Sequence, residues 1–298
     1  MFAMSTTALV ATLLCAIGFA AFDYFRKVAA QKFDTRVLLV FLLGGQVPVI
    51  STWLLTSGQF QLDAGYFLPG VVTALAGLAA NILFLMALQI SPLSLMIPLL
   101  SFVPVLTTLF SALLLKEVPT LQQLVGIMLT VAGVCLLYSP PDSNFDIARM
   151  WRNLRKEAGA KYMAIVALLW SLTGPLDKIC LSHASTPVHA LIQVSTLFII
   201  ITLWVATTKR LTAVRLKWSD VPILVAAIAS GGIAYGSQLI AYQLTLVGVV
   251  ETLKRSVGLI SSVLLGRLLL DEPLSSSKIV GILSMAAGVS MIVLPDLF

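Results

Sequence analysis

Apolar residues occur in ten long runs, which are separated by short stretches carrying most of the charged and turn-forming residues. A membrane-spanning helix needs roughly 20 residues, and each run is close to that length. None of the runs alternates apolar and polar residues as the strands of a membrane barrel do. The pattern therefore predicts an all-α integral membrane protein with ten transmembrane helices, at residues 5–25, 36–56, 66–89, 92–115, 120–138, 162–182, 187–208, 220–243, 247–270 and 277–295.

The composition excludes a soluble protein. Apolar residues make up 59% of the chain and charged residues 11%, whereas a soluble domain carries about 25% charged residues. Mean hydropathy is +1.01. The lipid bilayer is therefore the expected partner of most of the surface, and ten helices leave no room for a soluble domain. The three cysteines fall inside apolar runs and form no CxxC pair, so neither disulfides nor a zinc site is expected.

The net charge of +6 indicates membrane topology rather than a nucleic-acid partner. Most Lys and Arg residues lie in the connections after spans 1, 5 and 7 and beside the last turn. Cytoplasmic loops collect positive residues, so both termini are predicted to lie outside the cytoplasm. The expected location is the inner (plasma) membrane of a bacterium, as a multi-pass protein.

The two halves of the chain repeat one another. Residues 113–117 (Leu-Leu-Leu-Lys-Glu) match residues 268–272 (Leu-Leu-Leu-Asp-Glu), and residues 25–28 align with residues 176–179. Two glycine pairs also correspond, Gly126 with Gly281 and Gly133 with Gly288. Small residues at these positions are predicted to be helix–helix contacts with no further role.

This repeat predicts three parts: a five-helix repeat at 1–138, a linker at 139–161 and a second five-helix repeat at 162–298. Because each repeat has an odd number of helices, the second is inverted relative to the first. Transporters use inverted repeats to expose a midplane site to each side in turn. The linker is either a helix lying on the cytoplasmic leaflet or a solvated charged connection.

The fourth and fifth spans resemble the signature of the drug/metabolite transporter superfamily, EamA type. The matching residues are Pro98–Leu115, Lys116-Glu117, Gln122, Gly126-Ile127 and Ala132-Gly133, followed in the second copy by Asp271-Glu272-Pro273, Gly281 and Gly288. The resemblance implies ten helices in two inverted five-helix halves around a central cavity. It also implies proton- or gradient-driven transport, or exchange, of small metabolites. Members of the family are drawn with both termini in the cytoplasm, opposite to the orientation that the Lys and Arg residues predict.

Three ionisable residues lie well inside the ninth span: Glu251, Lys254 and Arg255. A charge inside a span is costly and indicates a functional site. The fold does not require these charges, because the equivalent residues of the first repeat are apolar: Met96, Leu99 and Leu100.

Glu251 and Arg255 are four residues apart and are predicted to neutralise one another, which leaves Lys254 to attract an anion. Arg offers a planar fork to phosphate or carboxylate, and Lys offers a point charge. Residues 252–263 also resemble the Lys-Arg helix of sugar-phosphate/phosphate translocators, which implies that Lys254 and Arg255 hold substrate phosphate. The alternatives are a structural ion pair that locks one state, and a helix register that places these residues at the interface.

Further candidates for the substrate site are polar and aromatic residues of other spans. Tyr235, Gln238 and Tyr242 share one face of the eighth span, Asn81 lies in the third, and Trp170 in the sixth is predicted to form an aromatic wall. For each of them, interhelical hydrogen bonding or packing is an equally good explanation.

Gln89, Gln193 and Gln243 are weaker candidates of the same kind. Lys27 and Lys178 recur near helix ends, where snorkelling to the interface explains them. His183 and His189 lie beside a short outer loop and are predicted to face water.

The sequence favours a secondary-active transporter over an enzyme. It has no P-loop, no metal-spaced histidine pair and no nucleophile beside a base. We expect no cofactor and no metal. The expected substrate is a small anionic or zwitterionic metabolite bearing phosphate or carboxylate, moved with protons or a counter-substrate by a monomer or homodimer. A flippase for a phosphate-bearing lipid remains an alternative, and a channel fits less well.

Overall fold

The computed structural model describes residues 4–30, 32–90, 99–137, 158–207, 217–270 and 276–293. These residues form ten α-helices and two short 3-10 turns at Ala64–Tyr66 and Trp218–Asp220. The helices are α1 (Thr6–Ala30), α2 (Thr35–Ser57), α3 (Phe67–Ile90), α4 (Val103–Leu115), α5 (Leu121–Leu137), α6 (Ala158–Leu181), α7 (Thr186–Thr207), α8 (Val221–Leu244), α9 (Val247–Leu270) and α10 (Ser276–Val293). The prediction of ten helices in an all-α protein is confirmed.

The helices have the length and surface of a protein that lies in lipid. Six described segments are long and apolar enough to cross a membrane: Thr6–Arg26, Arg36–Ser57, Ala64–Phe84, Gly159–Leu181, Thr186–Thr207 and Trp218–Leu244. Large apolar side chains point outward, with Leu68 exposed by 78% and Leu121 by 77%. An exposed apolar surface of this kind suits acyl chains rather than water.

Two predicted spans differ from the helices observed. α1 continues to Ala30, past the predicted end at residue 25, and Arg26 pairs with Asp23 at 2.8 Å within it. The fourth run is not one continuous helix, because a turn occupies residues 101–102 and α4 begins only at Val103. Pro104 lies in the first turn of α4, where its missing N–H costs nothing. Residues 91–98 lie outside the described residues. So do residues 138–157, which hold most of the predicted linker.

Contacts divide the chain into two compact units. The first unit comprises Met1–Leu9, Leu75–Pro175 and Leu244–Phe298, and the second comprises Val10–Ala74 and Leu176–Gln243. Each unit therefore takes helices from both sequence repeats.

In the first unit, α5 and α10 pack closely through glycines. A Cβ added to Gly126 would lie 2.6 Å from the carbonyl oxygen of Gly288, and one added to Gly133 would lie 2.7 Å from that of Gly281. The earlier glycine of α5 meets the later glycine of α10, so the two helices are antiparallel. α5 and α10 are equivalent helices of the two repeats, and this pair therefore has the opposed directions expected of an inverted repeat.

In the second unit, α2 and α7 are likewise equivalent helices packed antiparallel. The Arg36 guanidinium, at the start of α2, lies 4.5 Å from the Trp204 ring centroid near the end of α7. Gly44, further along α2, faces Phe198, which lies earlier in α7. Leu38 and Leu42 of α2 are buried in an apolar cluster with Ala29, Phe33, Leu224 and Ala227.

Candidate functional site

The site in the first unit is built on α9, whose first turn is fixed by two contacts. The backbone N–H of Val247 donates to a carboxylate oxygen of Glu117 at 3.2 Å. Gly248 lies so close to Thr108 of α4 that no larger residue would fit without a shift. Further along, Val249 and Leu253 are buried in an apolar cluster that includes Ile127 and Ile292. This apolar stripe sets the rotation of α9 and hence the directions of its charged side chains.

Glu251 forms its ion pair with Lys254, one helical turn further along α9. The side chain of Glu251 is 5% exposed and that of Lys254 is 15% exposed. The prediction that Glu251 would neutralise Arg255 is therefore wrong. Lys254 and Arg255 both lie about one helical turn from the Glu251 carboxylate. Which of them reaches that carboxylate depends on their side-chain rotamers in the packed environment, and sequence spacing does not specify these rotamers.

Arg255 instead lies against an aromatic ring. Its guanidinium carbon is 5.7 Å from the centroid of the Trp170 ring, within the range of a cation–π contact. The Arg255 Nε is buried and has no hydrogen-bond partner among the described residues. A buried donor without an acceptor is costly. Arg255 is therefore suited to bind an anionic ligand, to which its N–H groups would donate hydrogen bonds.

Trp170 is held in place by a second ring and by an apolar cluster. The Phe84 and Trp170 ring centroids are 5.2 Å apart, with their planes at 44°. Both rings pack against a cluster that contains Leu99 and Leu100, the repeat equivalents of Lys254 and Arg255. The first repeat therefore buries leucines where the second repeat places its two cations.

The structure brings four of the predicted site residues into one unit as a group: Glu251, Lys254, Arg255 and Trp170. The net charge of this group is +1 when Glu251 is ionised. Asn81 is in the same unit, but its side-chain amide donates to the carbonyl oxygen of Gly77 at 2.8 Å in its own helix. That bond to its own backbone fits the packing explanation for Asn81.

Tyr235, Gln238 and Tyr242 belong to the second unit. Tyr242 is 1% exposed and Gln238 is 8% exposed, whereas Tyr235 is only partly buried. Among the weaker candidates, Gln243 accepts a hydrogen bond from the Thr186 hydroxyl at 3.1 Å. The side chains of Gln89 and Lys27 lie outside the described part of the chain. The roles of all these residues in substrate binding stay predictions.

A buried hydrogen-bonded chain in the second unit was missed by the sequence analysis. His189 Nε2 lies 3.2 Å from Asp177 Oδ1, and His189 Nδ1 lies 2.9 Å from the Tyr66 hydroxyl. The Gln193 amide donates to the Tyr66 oxygen at 3.2 Å and to the Gly70 carbonyl at 3.0 Å. We call Asp177, His189, Tyr66 and Gln193 the inner relay.

The prediction that His189 faces water is wrong, because this side chain is fully buried. His183, six residues earlier, is partly exposed to solvent, in the direction predicted, and pairs with Asp63 at 2.9 Å. The sequence did hold a signal: Asp177 is an acid inside the sixth apolar run, and a buried charge needs a partner. His189 was misplaced because α7 begins at Thr186 and turns this residue inward within its first turn.

The described residues contain no group of His, Cys, Asp and Glu that could hold a metal ion.

Comparisons with known proteins agree with the two-repeat organisation. A family model described as the EamA-like transporter family matches residues 6–139 and 157–294. The chain is 28% identical over 131 residues to an uncharacterized protein, MJ1333.1, of Methanocaldococcus jannaschii, which covers 44% of this chain and 96% of that protein. A crystal structure of another protein has a TM-score of 0.72 at 19% identity and covers 95% of this chain and 96% of its own. At that identity, the structural likeness concerns the fold alone.

Proposed function

Because the chain belongs to the EamA-like transporter family, we propose that it is a secondary-active transporter for a small anionic or zwitterionic metabolite. Membership of this family indicates that the protein is a membrane transporter of small molecules. The substrate would carry a carboxylate or phosphate, bind at Arg255 and Trp170, and cross the membrane by alternating access of the two inverted repeats.

The observation that carries this proposal is the position of the Arg255 guanidinium. Glu251 is engaged by Lys254, and Arg255 lies on Trp170, where its buried Nε has no acceptor within the described part of the chain. A guanidinium presents parallel N–H donors that match the two oxygens of a carboxylate or phosphate. A bound anion would satisfy that donor and offset the net positive charge of the group.

The aromatic pair favours a substrate with a flat or apolar part beside its anionic group. The Trp170 ring lies beside the Arg255 guanidinium and contacts the tilted Phe84 ring. An apolar moiety on these rings would gain contact area while the charged end pairs with Arg255. Inorganic phosphate alone would use only the guanidinium.

Thermal stability of the purified protein tests the substrate class. The probes are inorganic phosphate, glycerol 3-phosphate, succinate, glutamate, phenylalanine and the organic cation tetraphenylphosphonium. A ligand at 100 times its Kd stabilises the folded protein by about 2.7 kcal/mol, which a melting curve resolves. At least one carboxylate or phosphate is expected to raise the melting temperature, and Arg255→Lys is expected to abolish that rise, because Lys lacks the fork.

Arg36→Lys is the matched control, since Arg36 also lies on a tryptophan ring, that of Trp204. The anion-induced shift should survive in this variant. Stabilisation by the organic cation alone would refute the proposal. Stabilisation only by vesicles containing an anionic phospholipid would favour the flippase alternative, in which Arg255 holds a lipid phosphate.

A further inference from the structure

The inner relay has a defined direction of hydrogen bonding. Gln193 donates both of its amide hydrogens, one to the Tyr66 oxygen and one to the Gly70 carbonyl. Tyr66 must then direct its own hydrogen toward His189 Nδ1, its other partner. With Nδ1 accepting, the neutral imidazole carries its proton on Nε2, which donates to Asp177. Each donor hydrogen along the relay thereby has an acceptor, and Asp177, when ionised, brings one negative charge to the relay.

This polar relay is not required by the fold. The two family matches begin 151 residues apart, and at that offset His189 and Gln193 correspond to Leu38 and Leu42. Both leucines are buried in an apolar cluster. These two positions of the equivalent helix in the first repeat are therefore packed with hydrocarbon, so the fold does not require an imidazole and an amide there, and the second repeat bears the cost of burying them.

Titratable groups lie on several elements that carry or adjoin the inner relay. Asp177 and Cys180 lie on α6, Tyr66 lies on the 3-10 turn before α3, and Tyr235 of α8 lies within electrostatic range of Asp177, Tyr66 and Cys180. Among these groups, Asp177 is the acid in direct contact with His189. The structure therefore offers one imidazole whose protonation would place a positive charge against the buried carboxylate of Asp177.

We propose that the inner relay is a proton-binding site and that its protonation is coupled to transport. A proton adds to His189 Nδ1 and makes an imidazolium–carboxylate pair with Asp177. The Tyr66 oxygen then accepts from Nδ1 and turns its own hydrogen away, so proton binding reverses one hydrogen bond of the relay. The coupling to transport rests on the proposed function, whereas the proton-binding site does not.

Nuclear magnetic resonance of protein labelled with ¹⁵N-histidine tests the site without any substrate. The chain has 2 histidines, so His183→Gln leaves the imidazole of His189 as the remaining signal. We expect its ring-nitrogen resonances to move as the pH is varied, because a proton adds to Nδ1. Resonances that stay unchanged in every condition in which the protein remains folded would overturn the proposal.

Two variants make the test directional. Asp177→Asn removes the charge that favours the imidazolium and should lower the titration midpoint by at least one pH unit, a tenfold loss of proton affinity. Gln193→Leu frees the Tyr66 oxygen to accept from protonated Nδ1 and should raise the midpoint. If Asp177→Asn does not fold, Gln193→Leu alone still tests the proton-binding site. An unchanged or lowered midpoint of the His189 signal in that variant would contradict the relay.

Proteoliposomes test the coupling with the anion from the panel that raises the melting temperature most. The ratio of pH-gradient-driven uptake to exchange should fall at least tenfold in His189→Leu. His183→Gln, which alters an exposed His–Asp pair, should keep the wild-type ratio. An unchanged ratio in His189→Leu would overturn coupling through this site. If the panel contains no transported anion, the proposed function fails while the titration still decides the proton site.

Discussion

A carboxylate oxygen of Glu117 accepts a hydrogen bond from the backbone N–H of Val247 at 3.2 Å. Glu117 lies two residues after the end of α4, and Val247 is the first residue of α9. The first N–H groups of a helix lack partners within the helix, and a carboxylate there also suits the positive end of the helix dipole. The signature residue Glu117 therefore anchors the helix that carries Glu251, Lys254 and Arg255.

Removing this cap should weaken α9. Glu117→Ala is expected to lower the free energy of unfolding by about 1 kcal/mol, as other lost helix caps do. Denaturant unfolding in detergent micelles, followed by far-UV circular dichroism, measures this change. Lys116→Gly is the control at the adjacent residue. Lys116 has φ of 57°, a left-handed conformation that glycine adopts without strain, so this variant should be more stable than the wild type. Equal losses in both variants would contradict the assignment.

The contact between α5 and α10 predicts a second stability effect. Gly126→Ala places a methyl group 2.6 Å from the Gly288 carbonyl oxygen and should destabilise the protein by about 1–3 kcal/mol through overpacking. Gly77→Ala adds the same methyl group inside α3, where, among the described residues, no heavy atom other than those of its chain neighbours and the adjacent backbone of α3 lies within 4 Å of it. Because alanine favours helix, the second variant should keep or raise the melting temperature. A higher melting temperature for Gly126→Ala would be inconsistent with the packing described.

The Glu251–Lys254 pair predicts a specific double-mutant cycle. Glu251→Gln and Lys254→Gln each leave a buried charge without its partner and should each cost about 3–5 kcal/mol. Together they should recover much of that loss, because the double variant buries no unpaired charge from this pair. The cycle of Glu251→Gln with Arg255→Gln is the comparison and should give a smaller coupling energy. A larger coupling energy in the second cycle would instead support the pairing of Glu251 with Arg255 that the sequence spacing predicts.

Cysteine labelling on intact cells tests the membrane orientation directly. Single cysteines replace Gln59, after α2, and Lys217, before α8, in a background without the three native cysteines. Both positions are exposed. From the distribution of Lys and Arg, an impermeant maleimide should label the cysteine at 59 on intact cells and the cysteine at 217 only after permeabilisation. The reverse pattern would place both termini in the cytoplasm, as the family resemblance implies.

The apolar runs and the repeat were sufficient to predict ten helices and the two halves matched by the family model. This was possible because the bilayer allows few solutions, and a helix satisfies the hydrogen bonds of its own backbone in lipid. Gly126, Gly133, Gly281 and Gly288 were likewise recognised as contacts, because small residues mark close helix approach. The odd number of helices in each repeat predicted that α5 and α10 run in opposite directions, whereas the pairing of their glycines is seen only in the structure.

The partners of charged and polar side chains were decided only by the tertiary structure. Spacing along α9 allowed Glu251 to pair with either cation, and packing gave it Lys254 and placed Arg255 on Trp170. His189 lies twelve residues from Asp177 and far from Tyr66 in sequence, yet all three meet in one buried chain. Helix periodicity fixes which residues share a face of one helix, but the rotation of each helix against its neighbours depends on the packing of all of them together.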